Sequence, residues 1–373
     1  MNSQNDGLEL ETRFSLQDSD VKDFVKLSLT QYQDEPITVA SFVRWKHLEN
    51  PCGSSIAIEL KKHVETVGRI WLQRHEWKVL GKSVPVLFPQ DLLVKPNERS
   101  IAVSLKLIQL GFRTAEQESR FFYHSSNPNS EPIYRRILRI SQTSEMSCSM
   151  LPLEPIGLLR WFLYEATPGE TRFRLPNRIW RVAQKIVLNV VGARRVNLIQ
   201  EPTEWEQARI VASFTQRQSC TNSRTPEWRR WRYEGSGEMT YRVCWFADNR
   251  QPIGYVVVSQ RELKGIPCLF VVDVVWAEPM NPRSARKVIR FLIDQEICRK
   301  CKVLVFLGNY QNDDIKKFAK GLPFRIPSGL LPQRLPIYMR LGMSELVSDP
   351  LSNDELRQAF RSSYFTLADL DVI

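Results

Sequence analysis

The strongest constraint on this chain is that it repeats itself. Arg44-Trp45-Lys46 returns as Arg230-Trp231-Arg232, and Val67-Gly68-Arg69-Ile70 returns as Ile253-Gly254-Tyr255-Val256. Gln90-Asp91-Leu92-Leu93 returns as Val272-Asp273-Val274-Val275, each followed by a proline, Pro96 and Pro279. The apolar run Phe121 to Asn127 returns as Leu304 to Asn309. Twenty-three positions separate Trp45 from Gly68 and Trp231 from Gly254, and 36 separate Asp91 from Asn127 and Asp273 from Asn309. Only the middle spacing, from glycine to aspartate, differs, 23 against 19, the change expected of a hairpin loop of variable length. A chain of 373 residues is long enough for two domains with separate cores, so two copies of one unit are expected.

Each copy predicts the same order. In the first, helical stretches over 20–32 and 37–47 precede strands over 55–61, 64–74 and 83–94. The third strand has the near-continuous apolar character of a central strand. A helix over 98–118 follows, with Ile101, Leu105, Ile108 and Phe112 on one face. A buried strand over 120–124 leads to a loop and a short helix from Ser130. Antiparallel strands followed by a β-α-β unit imply an α/β (α+β) fold with two mixed sheets in tandem and helices on both faces. The expected division is a domain over 9–148, a basic connection over 149–200, a second domain over 201–345 and a tail over 346–373.

Charge is uneven. Residues 1–50 carry five basic and nine acidic side chains, whereas seven basic residues and no acid lie between Arg172 and Arg195. That stretch, with a helix expected over 176–191, could meet an anionic partner or be a solvated face. Trp228, Trp231 and Tyr233 interleave with Arg229, Arg230 and Arg232, as in a stacking platform for single-stranded nucleic acid. The repeat gives Trp231 the same place as Trp45, which favours packing. Seven scattered cysteines argue against a disulfide framework. Cys298 and Cys301 form a C-x-x-C, but all four histidines lie in the other half of the chain, so idle thiols are expected rather than zinc. No apolar run is long enough to span a bilayer and the amino terminus lacks the features of a secretory signal, so a cytoplasmic protein is expected.

The segment Arg99-Ser100-Ile101-Ala102-Val103-Ser104 opens a helix directly after the expected central strand. A helix amino terminus leaves N–H groups unpaired and suits a pyrophosphate, provided small residues let it approach. Ser100, Ala102 and Ser104 are small, and Arg99 adds charge.

This arrangement resembles the GNAT (Gcn5-related N-acetyltransferase) superfamily, whose acyl-CoA loop reads Arg/Gln-x-x-Gly-x-Gly/Ala in this position. Ala102 and Ser104 stand where the glycines belong. Nearly all of residues 9–371 resemble bacterial tandem-GNAT proteins. The shared features are Trp45, Lys46, Asn50, Pro51 and Gly53; Asp91, Val94 and Pro96; and Asn127-Pro128-Asn129-Ser130. Trp231-Arg232-Tyr233 and the terminal Thr366, Asp369 and Asp371 complete them. The resemblance implies that Leu93, Val94 and Lys95 offer backbone groups to pantetheine and that Arg99 to Ser104 hold the pyrophosphate. Asn127 would face the pantetheine arm, and Tyr134 would protonate the leaving thiolate. Asp91 is the candidate general base by position, or else a structural carboxylate paired with a backbone group or a basic side chain. The second copy lacks a small-residue loop after Pro279, so it is expected to shape the acceptor cleft. The family's glycine after the Tyr134 helix appears here as Arg139.

The function implied is an acyl-CoA-dependent N-acyltransferase, with acetyl-CoA or another acyl-CoA as co-substrate and no metal. Its acceptor would be the amine of a small molecule or amino sugar, bound between the copies. The alternatives are an aminoacyl-tRNA-dependent transferase and a catalytically inactive tandem domain that binds or scaffolds.

Overall fold

The computed structural model describes residues 7–126, 130–153, 196–248, 250–263, 265–295, 300–327, 331, 335–343 and 351–370. The basic stretch over 172–195, with its expected helix, and Asn127, Cys298 and Asp371 lie outside them.

Chain order runs β1 (Leu8–Arg13), α1 (Asp18–Ser28), α2 (Ala40–His47), β2 (Ile56–Lys62), β3 (Glu65–Val79) and β4 (Lys82–Val94). Next come α3 (Ile101–Glu118), β5 (Phe121–Ser125), β6 (Ser144–Glu145), β7 (Ser147–Pro152), β8 (Asn197–Ile199), α4 (Glu204–Arg217) and β9 (Cys220–Asn222). The rest is α5 (Pro226–Glu234), β10 (Tyr241–Asp248), β11 (Gln251–Leu263), β12 (Ile266–Trp276), α6 (Pro282–Asp294) and β13 (Val303–Gly308). The chain closes with α7 (Asp313–Ala319), β14 (Phe324–Ile326), β15 (Pro336–Leu341) and α8 (Asn353–Arg361).

Two compact units result, and neither is a continuous run of chain. Unit one joins residues 1–144 to 222–239 and 335–360; unit two joins 145–221 to 240–334 and 361–373. The reason lies in strand pairing. The sheet of unit one runs β1-β2-β3-β4-β5-β15-β6, so its strand beyond β5 comes from the far end of the chain. The sheet of unit two runs β14-β7-β13-β12-β11-β10-β8, and β7 comes from the end of the first repeat. A simple cut near residue 148 or 200 therefore divides neither sheet from the other. The mixed sheets otherwise have the expected character: β4–β5 and β12–β13 are parallel, and their other neighbours are antiparallel.

The hairpin between β3 and β4 turns at Leu80 (φ 49°) and Gly81 (φ 82°), the left-handed pair that a two-residue turn requires. β3 therefore extends to Val79, five residues beyond the expected end. In unit one, α3 covers one face of the sheet through Leu107, Ile108, Phe112 and Ala115, packed on Ile58, Ile70, Leu87 and Phe122. The buried face of α3 thus starts later than its periodicity suggested, because Ile101, at the helix tip, is 67% exposed. The other face carries α1 and α2, with Val21, Phe24 and Val43 against Ala57 and Trp71. Arg69 is buried there, donating to the Phe24 carbonyl (2.6 Å) and to Ser28 Oγ (2.8 Å), with its guanidinium 3.3 Å from the Phe24 ring centroid.

α5 also belongs to unit one. The rings of Trp45 and Trp231 stack at 5.3 Å, Trp45 Nε1 donates to the Trp231 carbonyl (2.6 Å) and Trp231 Nε1 donates to the Trp45 carbonyl (2.9 Å). The reciprocal bonds match the equivalence the repeat assigned to these residues. Trp228, Trp231 and Tyr233 are buried, so they form a packing core and not a platform for bases.

Candidate functional site

β4 and β5 lie in register only at Val86 with Phe121 and Leu87 with Phe122. Beyond those pairs β4 stays bonded to β3 as far as Val94, and β5 stays bonded to β15 as far as Ser125. The two parallel strands therefore part, leaving an opening between residues 88–94 and 123–125. A bulge in β4 marks the same stretch, with Asp91 at φ 55°, a conformation that aspartate tolerates better than most residues.

Polar side chains on and just past the two parting strands lack partners among the described residues. Both amide atoms of Gln90, both ring nitrogens of His124, and the hydroxyls of Ser125 and Ser126 are buried and make no hydrogen bond there. Strand alternation places Gln90 and Ser125 on the face where Phe88 stacks on Tyr123 (4.8 Å), and His124 and Ser126 on the face of α3. An orphaned buried donor or acceptor costs about 1–3 kcal/mol, so several around one gap call for a ligand or water. Burial pushes the His124 imidazole down to about 3, so it is neutral at ordinary pH. His124 escaped sequence reasoning because a histidine in an apolar strand carries no signal of its own.

Tyr134 sits beside this histidine, in a π-helical turn over Ile133–Ile137, with ring centroids 4.3 Å apart. It also stacks on Phe112 (5.9 Å) and is 6% exposed. Burial drives its phenol well above the usual range, so it keeps its proton. Arg139, just past that turn, has φ 51°, the left-handed conformation that a glycine would adopt freely.

Asp91 is held from α2. Lys46 Nζ lies 2.8 Å from its Oδ2 and 3.1 Å from its Oδ1, and His47 Nε2 lies 2.9 Å from Oδ2. His47 Nδ1 meets Ser55 Oγ at 2.9 Å. Ser, His and Asp are thus in line, but Ser55 has no exposed surface and cannot meet a substrate as a nucleophile. The Lys46 cation and the bond from His47, opposed by burial, hold the Asp91 carboxyl far below the usual carboxylate range. The neighbouring motif residues are also fasteners. Asn50 Nδ2 donates to the Arg74 carbonyl (2.7 Å), and Gly53 adopts φ 101°.

Past β4 the chain makes a short 3-10 turn over Pro96–Glu98 before α3, where a helix from Glu98 was expected. Leu93 and Val94 are buried; Lys95 N donates to the Val67 carbonyl (2.8 Å), and the Val94 carbonyl accepts from Gln31 Nε2 (2.6 Å). The other end of the Gln31 amide accepts from Arg99, so Gln31 ties the strand end to the arginine, a link with no sequence signal. Ser100 caps α3 by accepting from Val103 N (3.1 Å), and Ser104 N bonds the Ser100 carbonyl (3.1 Å). The N–H groups of Ile101 and Ala102 are then the first two of the helix, with no intrahelical acceptor, on exposed residues. Asn127 lies outside the described residues.

Unit two differs at the matching place. Asn281 Oδ1 accepts from both Arg283 N (2.9 Å) and Ser284 N (3.0 Å), and Pro282 has no N–H. The first turn of α6 has no donor left for a phosphate.

Two mixed sheets, each with a parallel pair that parts at a β-α junction, make a tandem GNAT-like fold. Solved structures share it. A GCN5-related N-acetyltransferase from Anabaena variabilis ATCC 29413 is 12% identical, with 89% of this chain and 73% of that one covered at a TM-score of 0.57. Saccharomyces cerevisiae N-myristoyltransferase with bound myristoyl-CoA is 13% identical, with 94% and 88% covered at 0.53. A probable N-acyltransferase from Enterococcus faecalis V583 is 12% identical, with 90% and 72% covered at 0.50. No family model and no curated protein matches the sequence. At these identities the likeness establishes the fold. Among the described residues, no helix is long and apolar enough to cross a membrane, and no group of three or more histidine, cysteine or acidic side chains could hold a metal.

Proposed function

We propose that the chain is an acyl-CoA-dependent N-acyltransferase whose first unit holds the acyl-CoA and whose acceptor is the amine of a small molecule or amino sugar. The observation that carries this reading is the opening between β4 and β5, bordered by unpartnered polar groups and followed by the free amino terminus of α3. Pantetheine is a chain of amides, which can pair with a parted strand as an added strand would. Gln90, Ser125 and Ser126 supply further polar atoms. Arg99 and the N–H groups of Ile101 and Ala102 suit the pyrophosphate, and the side chains from Ser100 to Ser104 are small at Ser100, Ala102 and Ser104.

Transfer forms an amide from the amine and the thioester and releases CoA thiolate, so one proton leaves the amine and one reaches sulfur. Tyr134 is the proposed donor to sulfur, and its raised pKa keeps it protonated for that role. Asp91 is the proposed acceptor of the amine proton, directly or through water. Its ion pair with Lys46 weakens it as a base, and this favours a second reading, an inactive protein that binds acyl-CoA.

Calorimetric titration with acetyl-CoA and CoA tests the proposal. Micromolar binding to the wild type and its loss in Arg99→Glu are expected, and Tyr134→Phe should bind normally but turn over about 10²-fold more slowly. Binding without turnover on any amine acceptor would favour the inactive reading. No binding to the folded wild type would overturn both.

A further inference from the structure

The parallel pair of unit two parts as that of unit one does, but its gap contains chain. β12 and β13 are in register from Cys268 with Val303 to Val271 with Phe306, and no further. Into the gap runs the segment Tyr364–Thr366. Thr366 bridges Gly308 antiparallel, and Asn309 N donates to the Phe365 carbonyl (2.9 Å). Gly308 already pairs with Ser147 of β7, so the bridge from Thr366 lies on the side that faces β12. The Tyr364 hydroxyl reaches across to β12, donating to the Val274 carbonyl and sharing the Val274 N–H (3.3 Å) with Asp273 Oδ1 (3.1 Å). Asp273 Oδ1 accepts from the Thr366 hydroxyl (3.3 Å) and lies 3.4 Å from the Tyr364 hydroxyl oxygen. Tyr364, Phe365 and Thr366 are all buried.

The internal repeat gives these contacts a meaning. Asn309 corresponds to Asn127, which by resemblance faces the pantetheine arm, and Asn309 Nδ2 donates to the carbonyls of Arg361 (2.9 Å) and Ser363 (3.0 Å). Asp273 corresponds to Asp91, whose partners in unit one are Lys46 and His47 instead of this segment. The terminal Thr-x-x-Asp motif closes the wedge as a capping box: Thr366 N donates to Asp369 Oδ2 (2.9 Å) and Ala368 N to Thr366 Oγ1 (3.3 Å).

We infer that the gap between β12 and β13 is a binding site for an extended amide chain, and that its ligand is this chain's own segment Tyr364–Thr366, seated where the first unit would take pantetheine. The comparison with pantetheine rests on the acyl-CoA reading proposed above; the occupancy of the gap does not. The spent amino terminus of α6 fits this, since a gap filled by peptide needs no phosphate site at its end. One chain then holds one acyl-CoA.

Amide hydrogen exchange on the intact protein, with and without saturating acetyl-CoA, alongside calorimetry, tests this. The amides of Asn309, Tyr364 and Thr366 should exchange on the order of 10³-fold or more slower than an unstructured chain, unchanged by acetyl-CoA, with one acetyl-CoA bound per chain. Tyr364→Phe removes the bridging hydroxyl without emptying the gap, and should speed exchange at Val274 about tenfold while leaving acetyl-CoA stoichiometry at one. Protected tail amides without any acetyl-CoA binding would overturn the acyl-CoA reading and leave the gap filled by its own chain. Two acetyl-CoA per chain with protection lost at Asn309 and Tyr364, or unprotected tail amides in the free protein, would overturn the inference.

Discussion

Asp91 shows how a position can be legible while its chemistry is not. The repeat located it and the resemblance made it a base, yet its partners Lys46 and His47 are more than forty residues away and came together only in the fold. Asn tolerates the same positive φ, so Asp91→Asn removes charge with little backbone cost. Removing the carboxylate charge beside the buried Lys46 cation should lower stability by about 3 kcal/mol at pH 7, read by chemical denaturation. Because the folded carboxyl titrates far below its unfolded value, the pair stabilises above about pH 4 and the benefit fades as pH falls further. Wild type and variant should therefore converge below that pH, and a constant difference would assign Asp91 another role. His124 and His75 have the opposite charge chemistry. Burial pushes both down to about 3, so the unfolded state gains protons first as pH drops below about 6.5. Stability should fall by up to about 1.4 kcal/mol per pH unit for each histidine between pH 6.5 and 4. His124→Phe should make that slope shallower, measured by thermal melts across this range.

The glycine shared by the two repeats does different work in its two copies, at the level of strands β3 and β11. A Cβ on Gly68 would meet the flexible tip of Leu107 at 3.0 Å, whereas one on Gly254 would lie 2.3 Å from the Val275 carbonyl oxygen. A side chain can move aside and a bonded strand cannot. Gly68→Ala should cost about 1 kcal/mol and Gly254→Ala at least about 3 kcal/mol in urea unfolding, and equal losses would contradict the packing described. Element order was readable because periodicity marks burial. The early exposed turn of α3 and the extra length of β3 were not, since both depend on where the sheet ends. Family motifs were also misleading in kind: Lys46, Asn50, Gly53, Thr366 and Asp369 read as signatures and act here as ion pair, tether, turn and cap.

For the whole molecule, the borrowed strands matter most. Residues 1–150 alone would lack β15 and α5, exposing the β5 edge from Phe121 to Ser125 and the face of Trp45. That fragment should be insoluble or molten by circular dichroism, while the full chain is folded; a soluble, cooperatively melting fragment would contradict this. The sequence by itself determined the duplication, the α/β class with its mixed sheets, the packing role of Trp45 and Trp231, and the helix start at Arg99 to Ser104. These follow from periodicity, spacing and local capping, which act within a few residues. Tertiary structure alone decided which strand closes each sheet, which groups hold Asp91, which polar atoms near β5 lack partners, and what fills the second gap. Those depend on contacts between residues far apart in the chain, which form only when burial and backbone pairing are satisfied together.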